Sequence, residues 1–238
     1  MTIRAGTTRI GMSGFSYPEW IGEVYPTGTK RVGMLAEYQK IFRAVEINMT
    51  FRRTPEEKTI ERWRDAVDPE FRFSLKANQL ITHWRRLVDV DGDVAEFMTL
   101  ARRMGEKLGP VLFQVSPKMQ FDPKVLEDFC ASLPPGGHYA FEPRHESFAG
   151  KEIDEVFARH NVARCLNDEL FDPSTYRVTG PLAYFRFHRV DYTPDDLVAR
   201  AELARRISDE GVDVYAIFAH EDNPDSVRPA LKMKELLA

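Results

Sequence analysis

Short apolar runs alternate with amphipathic segments along the whole chain. Eight of these runs are rich in β-branched and aromatic residues and are bounded by turn residues, which is typical of strands. They lie at 9–14, 44–51, 71–78, 110–116, 138–144, 162–168, 182–188 and 213–220. Most intervening segments repeat apolar side chains at the three- and four-residue spacing of a helix. Segment 169–181 is short and broken by Pro and Gly, so the pattern predicts no full helix there.

Polar residues followed by Pro mark several helix starts. The sequence TPEE at 54–57 predicts a capping box with Thr54 as the N-cap. The same pattern predicts N-caps at Asp122, Thr193 and Asn223.

Alternating strands and helices predict parallel βαβ units, in either a closed barrel or an open doubly wound sheet. The side-chain pattern within the strands favours closure. In the second strand Val45 and Ile47 face one way, whereas Glu46 and Asn48 face the other. Five strands share this division, and their second face becomes polar toward the carboxyl end, whereas strands of an open parallel sheet are apolar on both faces. We therefore predict an α/β fold with a single (β/α)8 TIM-type barrel over residues 1–238, the sixth helix being short or missing.

Composition narrows the possible partners. The 238 residues carry a net charge of -4, which gives no general attraction to nucleic acid or to anionic membranes, although 33 Lys and Arg leave room for a basic patch. No apolar run reaches the length of a membrane span, and the first residues lack the apolar core of a signal peptide. We expect a cytoplasmic protein. Cys130 and Cys165 are expected to be buried free thiols, because their spacing suggests neither a disulfide framework nor a zinc site.

Charged residues are predicted to converge inside the carboxyl end of the barrel, where TIM barrels place active sites. Glu46 and Glu142 are candidates for acid–base catalysis or metal ligation. The cations Lys76, Arg144 and Arg186 are predicted to bind an anion. The alternative is that cations and carboxylates pair with one another in a structural ion network.

The candidate residues form two groups. The predicted catalytic residues are Glu46, Glu142 and His188. The predicted substrate-binding residues are Ser13, Tyr17, Asn48, Lys76, His83, Gln114, Arg144, His145, Asp168 and Arg186. No HxH or HExxH spacing is present, so no metal ligands are assigned and the cofactor is left unknown.

Two loop segments carry further candidate chemistry. The sequence SGFSYPEW at 13–20 matches neither a GxGxxG nucleotide loop nor a GxSxG nucleophile elbow, and is interpreted as a rim loop that either lines a pocket or packs over the barrel. The sequence HWRRL at 83–87 combines basic and aromatic residues. Such a combination can bind single-stranded nucleic acid, but it is also typical of a solvated turn.

Six segments together resemble the YecE-like family, also called domain of unknown function 72. They are IGMSGFSYPEWIGEVYP (10–26), VEINMTFRRTP (45–55), FRFSLKANQLITHWRRL (71–87), LGPVLFQVSP (108–117), FEPRHESF (141–148) and YFRFH (184–188). The resemblance runs over nearly the whole chain and implies a TIM-type barrel without an assigned activity. The chain departs from the family pattern at Ser116-Pro117, Phe148, Arg189 and Ala219-His220. These departures affect the expected ligand contacts and not the expected fold.

Three functional hypotheses follow. The first is an enzyme that binds a small anionic, phosphate-bearing molecule. The second, by analogy with endonuclease IV, is a metal-dependent phosphodiester hydrolase of nucleic-acid repair. It requires a metal cluster drawn from Glu46, Glu142, His145, Asp168, His188 and His220. The third is a non-catalytic ligand- or nucleic-acid-binding barrel. Net charge does not favour nucleic acid, no membrane partner is expected, and the oligomeric state is left open.

Overall fold

The computed structural model describes residues 4–219 and 223–238 and contains a closed barrel of eight parallel strands. Each strand pairs with its neighbours in chain order, and β1 closes the barrel against β8 with Thr8 opposite Val214. The strands are β1 (Thr8–Met12), β2 (Ala44–Ile47), β3 (Arg72–Lys76), β4 (Leu108–Gln114), β5 (Tyr139–Glu142), β6 (Val162–Asn167), β7 (Leu182–Phe187) and β8 (Asp213–Phe218). This arrangement confirms the predicted TIM-type barrel.

Helices surround the barrel. They are α1 (Met34–Ile41), α2 (Met49–Arg52), α3 (Glu57–Asp65), α4 (Asp91–Ala101), α5 (Pro123–Ser132), α6 (Lys151–Arg159), α7 (Pro194–Asp209) and α8 (Val227–Leu237). Between β6 and β7 the chain forms only the 3₁₀ turn Pro173–Thr175, as predicted. No helix within the described ranges is both long and apolar enough to cross a membrane.

All eight predicted strands extend past the observed carboxyl ends, by one to four residues; β5, for example, ends at Glu142, so Arg144 follows the strand. The run 44–51 is a strand only to Ile47, because Asn48 adopts helical backbone angles and the short helix α2 follows. Sequence alternation could not detect this helix, since Met49 and Phe51 continue the period of two. The last strand ends at Phe218, and residue 220 lies outside the described residues.

The helix starts agree with prediction except at Thr54. Asp122 and Thr193 accept backbone N–H groups at the starts of α5 and α7, and Asn223 does so before a 3₁₀ turn that leads into α8. The capping box predicted at Thr54 is wrong, because α3 begins at Glu57 with no side-chain cap. Glu56 has extended backbone angles, with φ -64° and ψ 147°, so the segment before Glu57 belongs to the loop and not to the helix.

Two apolar layers support the barrel. The larger layer lies between strands and helices and includes Phe73, Phe113 and Phe141. The smaller fills the barrel interior with Ala44, Leu112, Ala140, Ala163, Cys165, Leu182, Tyr184, Tyr215 and Ile217. Cys130 and Cys165 are buried and free, as expected. The interior layer separates the polar groups of the carboxyl end from the amino end, where Arg9 pairs with Asp213 at 2.8 Å.

Candidate active site at the carboxyl end of the barrel

Arg186, on β7, is the centre of a buried ion network. Its Nη2 donates to Glu46 Oε1 at 2.8 Å, and its Nη1 donates to Glu142 Oε2 at 2.6 Å. Nη1 also donates to Gln114 Oε1 at 2.9 Å. One guanidinium group therefore links side chains from β2, β4 and β5 across the barrel. The inward direction predicted for these residues by strand alternation is confirmed.

The two carboxylates have further partners. Tyr184 Oη donates to Glu46 Oε2 at 2.8 Å, and Asn167 Nδ2 donates to Glu142 Oε1 at 2.9 Å. Burial raises the pKa of Glu142, but the charge of Arg186, the hydrogen bond of His188 and the charge of Arg144 outweigh burial and hold that pKa well below its usual range. Glu142 is therefore ionised at neutral pH and cannot easily exchange a proton.

These contacts favour the structural ion network over the acid–base role predicted for Glu46 and Glu142. Both carboxylates are fully buried and accept hydrogen bonds from fixed donors. Buried charges are tolerated when they are paired in this way. His188 belongs to the same network, with Nε2 at 3.4 Å from Glu142 Oε1 and at 3.2 Å from Arg186 Nη1. Acid–base catalysis by these three residues stays a prediction.

Lys76, at the end of β3, differs from the other charges of the barrel interior. Its Nζ lies 4.4 Å from the centre of the Phe51 ring and has neither a hydrogen bond nor an ion pair among the described residues. Burial lowers the pKa of Lys76 to about 8, and the charges of Arg186 and Arg144 act in the same direction. The two buried glutamates oppose this shift without contacting the amine.

Arg144 and His83 lie near this amine. Arg144 Nε is 3.0 Å from Glu142 Oε1, but within the described chain this buried N–H lacks an aligned hydrogen-bond acceptor. The Arg144 side chain keeps 19% of its surface exposed. The His83 ring meets the Phe51 ring edge-on at 4.9 Å, and the pKa of His83 is lowered by burial and by the charges of Lys76 and Arg144. We call Phe51, Lys76, His83 and Arg144 the mouth cluster.

Asp168 is a correction to the predicted ligand contacts. Its side chain has no exposed surface and accepts hydrogen bonds from Arg200 Nη2 at 2.8 Å and from Tyr192 Oη at 2.8 Å. Its other oxygen accepts the backbone N–H of His188 at 3.0 Å. Asp168 therefore anchors α7 and the loop after β7, and it is not accessible to a ligand.

His145 is also bound within its own loop. Its Nδ1 accepts the backbone N–H of Ser147 at 3.1 Å and caps the 3₁₀ turn Glu146–Phe148. The network similarly uses the two Nη atoms of Arg186 and the Oε1 acceptor of Gln114, whereas the buried Arg186 Nε has no hydrogen-bond partner among the described residues.

Ser13, Tyr17 and Asn48 lie on the other side of the barrel end. Tyr17 Oη and Asn48 Nδ2 both donate to the backbone oxygen of Ser13, at 3.0 and 3.2 Å. All three residues line a neighbouring cleft between the β1–α1 loop and helices α2 and α3. The structure thus divides the predicted substrate-binding residues between two places.

Sequence reasoning missed several members of the network. Ser74, Asn167 and Tyr184 lie on inward-facing strand positions, so strand alternation could have identified them. Phe51 was assigned to a strand, and no sequence signal placed its ring below Lys76.

The metal-cluster hypothesis lacks support from the described residues. Among them, no three His, Cys, Asp or Glu side chains come together as metal ligands. The guanidinium group of Arg186 contacts both Glu46 and Glu142, so it occupies the space that a cation bridging them would need. His145 and Asp168 are held in separate contacts, and His220 lies outside the described residues.

The parallel eight-stranded barrel, with its charges gathered at the carboxyl end, defines a TIM-barrel protein. The chain belongs to the family described as "Protein of unknown function DUF72", whose sequence profile matches residues 9–238. This membership confirms the resemblance drawn from the motifs.

Similar proteins agree with this assignment. The UPF0759 protein YecE of Escherichia coli K12 is 31% identical over 178 residues, which are 72% of this chain and 61% of that protein. The chain thus spans about three fifths of the length of this curated relative. A DUF72 family protein from Thermotoga maritima is 26% identical with a TM-score of 0.84, covering 97% of this chain and 99% of that one.

Two further structures share the fold. A DUF72 family protein from Enterococcus faecalis V583 is 20% identical with a TM-score of 0.79, covering 98% of each chain. The D-psicose 3-epimerase of Clostridium cellulolyticum H10 is 11% identical with a TM-score of 0.57, covering 96% of this chain and 98% of that one. At these identities the likeness concerns the fold alone.

Proposed function

We propose that the protein is an enzyme that binds a small anionic, phosphate-bearing substrate at the mouth of the barrel. The observation that carries this proposal is the Lys76 amine, which has no ion pair or hydrogen bond within the described chain although it lies at the polar end of the barrel. The Lys76 residue is partly buried, so its ammonium group loses part of its hydration without gaining a carboxylate partner. An anionic ligand would supply that partner.

The charge balance supports an anion. Three cations, Lys76, Arg144 and Arg186, share the barrel end with two buried carboxylates, Glu46 and Glu142. Arg186 pairs with both carboxylates, and Arg144 lies 3.0 Å from Glu142 and 3.8 Å from the half-exposed Glu169. Of the three cations, Lys76 is therefore the one without an ion pair in the described chain. Arg144 Nε is a further buried donor without an aligned acceptor among the described residues. Guanidinium and ammonium groups together form a common arrangement for binding phosphate.

The same geometry makes Lys76 and His83 better candidates for proton transfer than the two glutamates predicted from the sequence. With a pKa of about 8, Lys76 can gain and lose a proton near neutral pH, whereas Glu142 stays ionised. The lowered pKa of His83 favours its neutral form, which can accept a proton. In this proposal Arg144 and the protonated Lys76 hold the anion, and Lys76 acts as a general acid because the bound anion favours its ammonium form.

Calorimetric titration with inorganic phosphate tests the binding step. We expect Lys76→Met and Arg144→Gln each to weaken phosphate binding at least about tenfold, because each removes one charged contact worth about 1.4 kcal/mol or more. Lys118→Met is the matched control, since Lys118 is exposed on the loop after β4 and should leave affinity unchanged. Unchanged affinity in both mouth variants would contradict the proposal.

Catalysis needs a separate test. A panel of small phosphate esters is incubated with the protein, and the products are analysed by mass spectrometry and phosphorus NMR. The enzyme hypothesis predicts that at least one ester is converted and that Lys76→Met abolishes the conversion. An ester that saturates the mouth but is recovered unchanged would instead support a non-catalytic binding protein.

A further inference from the structure

We infer that a second binding site, for an aromatic anion, lies beside the mouth. The site is a cleft of about 600 Å³ between the β1–α1 loop on one side and helices α2 and α3 on the other. Neither Lys76 nor Arg144 is among its described lining residues, so the inference does not depend on the function proposed for the mouth. We call it the arginine cleft.

The charged residues among the described lining of the arginine cleft are all positive. Arg31, Arg53 and Arg62 line the cleft, and no Asp or Glu occurs among the described residues that form its walls. In the described chain, Arg53 and Arg62 have no carboxylate within ion-pair distance, and Arg31 donates only to the hydroxyl of Ser16, at 3.2 Å. Arginine forks left without carboxylates in a concave surface are suited to phosphate or carboxylate groups. The chain as a whole has a net charge of -4, so this concentration of positive charge is local.

Aromatic side chains give the cleft an apolar wall. Phe15 and Trp63 meet edge-to-face with ring centres 6.2 Å apart, and the Trp63 side chain is only partly buried. Leu35, Ile47 and Met49 add aliphatic surface. A volume of this size, lined by apolar groups and a few charged donors, is typical of small-molecule sites. A flat ring could pack against the aromatic wall while its anionic group contacts the arginines.

The wall is fixed before any ligand binds. Tyr25 Oη donates to the backbone oxygen of Phe15 at 2.6 Å, and Tyr17 Oη donates to that of Ser13 at 3.0 Å. Gly14 has a φ of +137°, and a Cβ at this position would collide with the Tyr17 hydroxyl group. The loop thus requires glycine where it closes against Tyr17. Such preorganisation lowers the entropic cost of ligand binding.

The ligand class is therefore an aromatic ring that carries a phosphate or a similar anionic group. Nucleotides and simple aryl phosphates share this chemistry. An anion without a ring would use only the arginines, and an uncharged ring would use only the apolar wall. Either should bind more weakly than the combination.

Tryptophan fluorescence can report on this site directly. Of the three tryptophans, Trp20 is buried, Trp84 is 69% exposed on another loop, and Trp63 lies in the cleft. In a Trp84→Phe background, Trp63 is the tryptophan expected to respond. We expect adenosine 5′-monophosphate or phenyl phosphate to change its fluorescence saturably. Adenosine and inorganic phosphate, which each lack one half of the ligand, should bind at least about tenfold more weakly.

Variants complete the test. Arg53→Gln combined with Arg62→Gln should weaken binding of the aromatic phosphates at least about tenfold. The matched control combines Arg177→Gln and Arg206→Gln, two exposed arginines outside the cleft. Tighter binding of the nucleotide would identify nucleotides as the class, and equal or tighter binding of phenyl phosphate would identify simpler aryl anions. No saturable response to either aromatic phosphate, or unchanged affinity in the cleft variant, would overturn the inference.

Discussion

At the scale of single residues, the central structural feature is one arginine that holds two buried carboxylates. Arg186 contacts Glu46 and Glu142 at 2.8 and 2.6 Å, and neither carboxylate has exposed surface. Removal of one partner from a buried ion pair is more costly than the pair itself is stabilising, because the remaining charge loses its compensation.

Arg186→Met should therefore destabilise the protein by about 3–5 kcal/mol or more. Urea unfolding monitored by circular dichroism measures this loss. Arg228→Met is the control, because Arg228 pairs with Asp225 on the surface and surface pairs contribute little, about 0–1 kcal/mol. A loss for Arg186→Met no larger than the control would show that the network does not stabilise the barrel.

Strand alternation correctly predicted that Glu46, Glu142 and Arg186 face inward. It could not predict which of them pair, because they come from β2, β5 and β7 and their distances depend on barrel register. It also could not distinguish the paired Arg186 from the unpaired Lys76, since both are inward-facing cations in the sequence. That distinction changes which residue is the better candidate for chemistry.

At the scale of secondary-structure elements, two similar sequence patterns have different outcomes. Thr193 begins α7 with a complete capping box, in which its hydroxyl accepts the N–H of Asp196 at 3.1 Å. Thr54 has the same Thr-Pro sequence but lies in the loop before α3. Local sequence indicates the propensity for a cap, but the extended backbone of Glu56 places Thr54 outside α3.

Thr193→Ala should therefore cost about 1 kcal/mol of unfolding free energy, whereas Thr54→Ala should cost less because no cap is lost. Thermal unfolding of the two variants beside the wild type makes the comparison. An equal loss in both variants would show that the Thr193 hydroxyl contributes nothing specific to α7.

The segment after β3 shows a further limit of sequence reasoning. Leu80–Trp84 forms a π-helical turn, and Arg86, Leu87 and Asp89 adopt left-handed backbone angles without being glycine. Propensity does not predict either feature, because both are uncommon for these residue types. This turn nevertheless places His83 against Phe51 in the mouth cluster.

At the scale of the whole molecule, the architecture could be predicted because the same alternation of strand and helix recurs along the chain. Five of the eight predicted strands have one apolar face and a second face that becomes polar toward the carboxyl end, which correctly favoured closure, and the gap at 169–181 correctly predicted a missing helix. The arginine cleft was not predicted, because its arginines come from the β1–α1 loop, the loop before α3 and α3 itself. Sequence patterns within a single helix or loop do not show that arginines from three different segments line one cleft.

The proposed function depends on the protonation state of Lys76 and on how a bound anion changes the pKa of this residue. Burial lowers its pKa from 10.5 to about 8 because the charged form is disfavoured in the barrel. A bound anion favours the charged form and must raise this pKa. By linkage, the contribution of Lys76 to phosphate binding is fully present below about pH 8 and is lost as the pH rises and the amine becomes neutral.

The most direct test is an NMR pH titration of isotope-labelled lysine side chains, with the Lys76 signal assigned from its absence in Lys76→Met. We predict a midpoint near pH 8 in the free protein and a clearly higher midpoint in saturating phosphate. A midpoint near the ordinary 10.5 in the free protein, or one near 8 that phosphate leaves unchanged, would contradict the proposal that Lys76 is the anion-binding amine of the mouth.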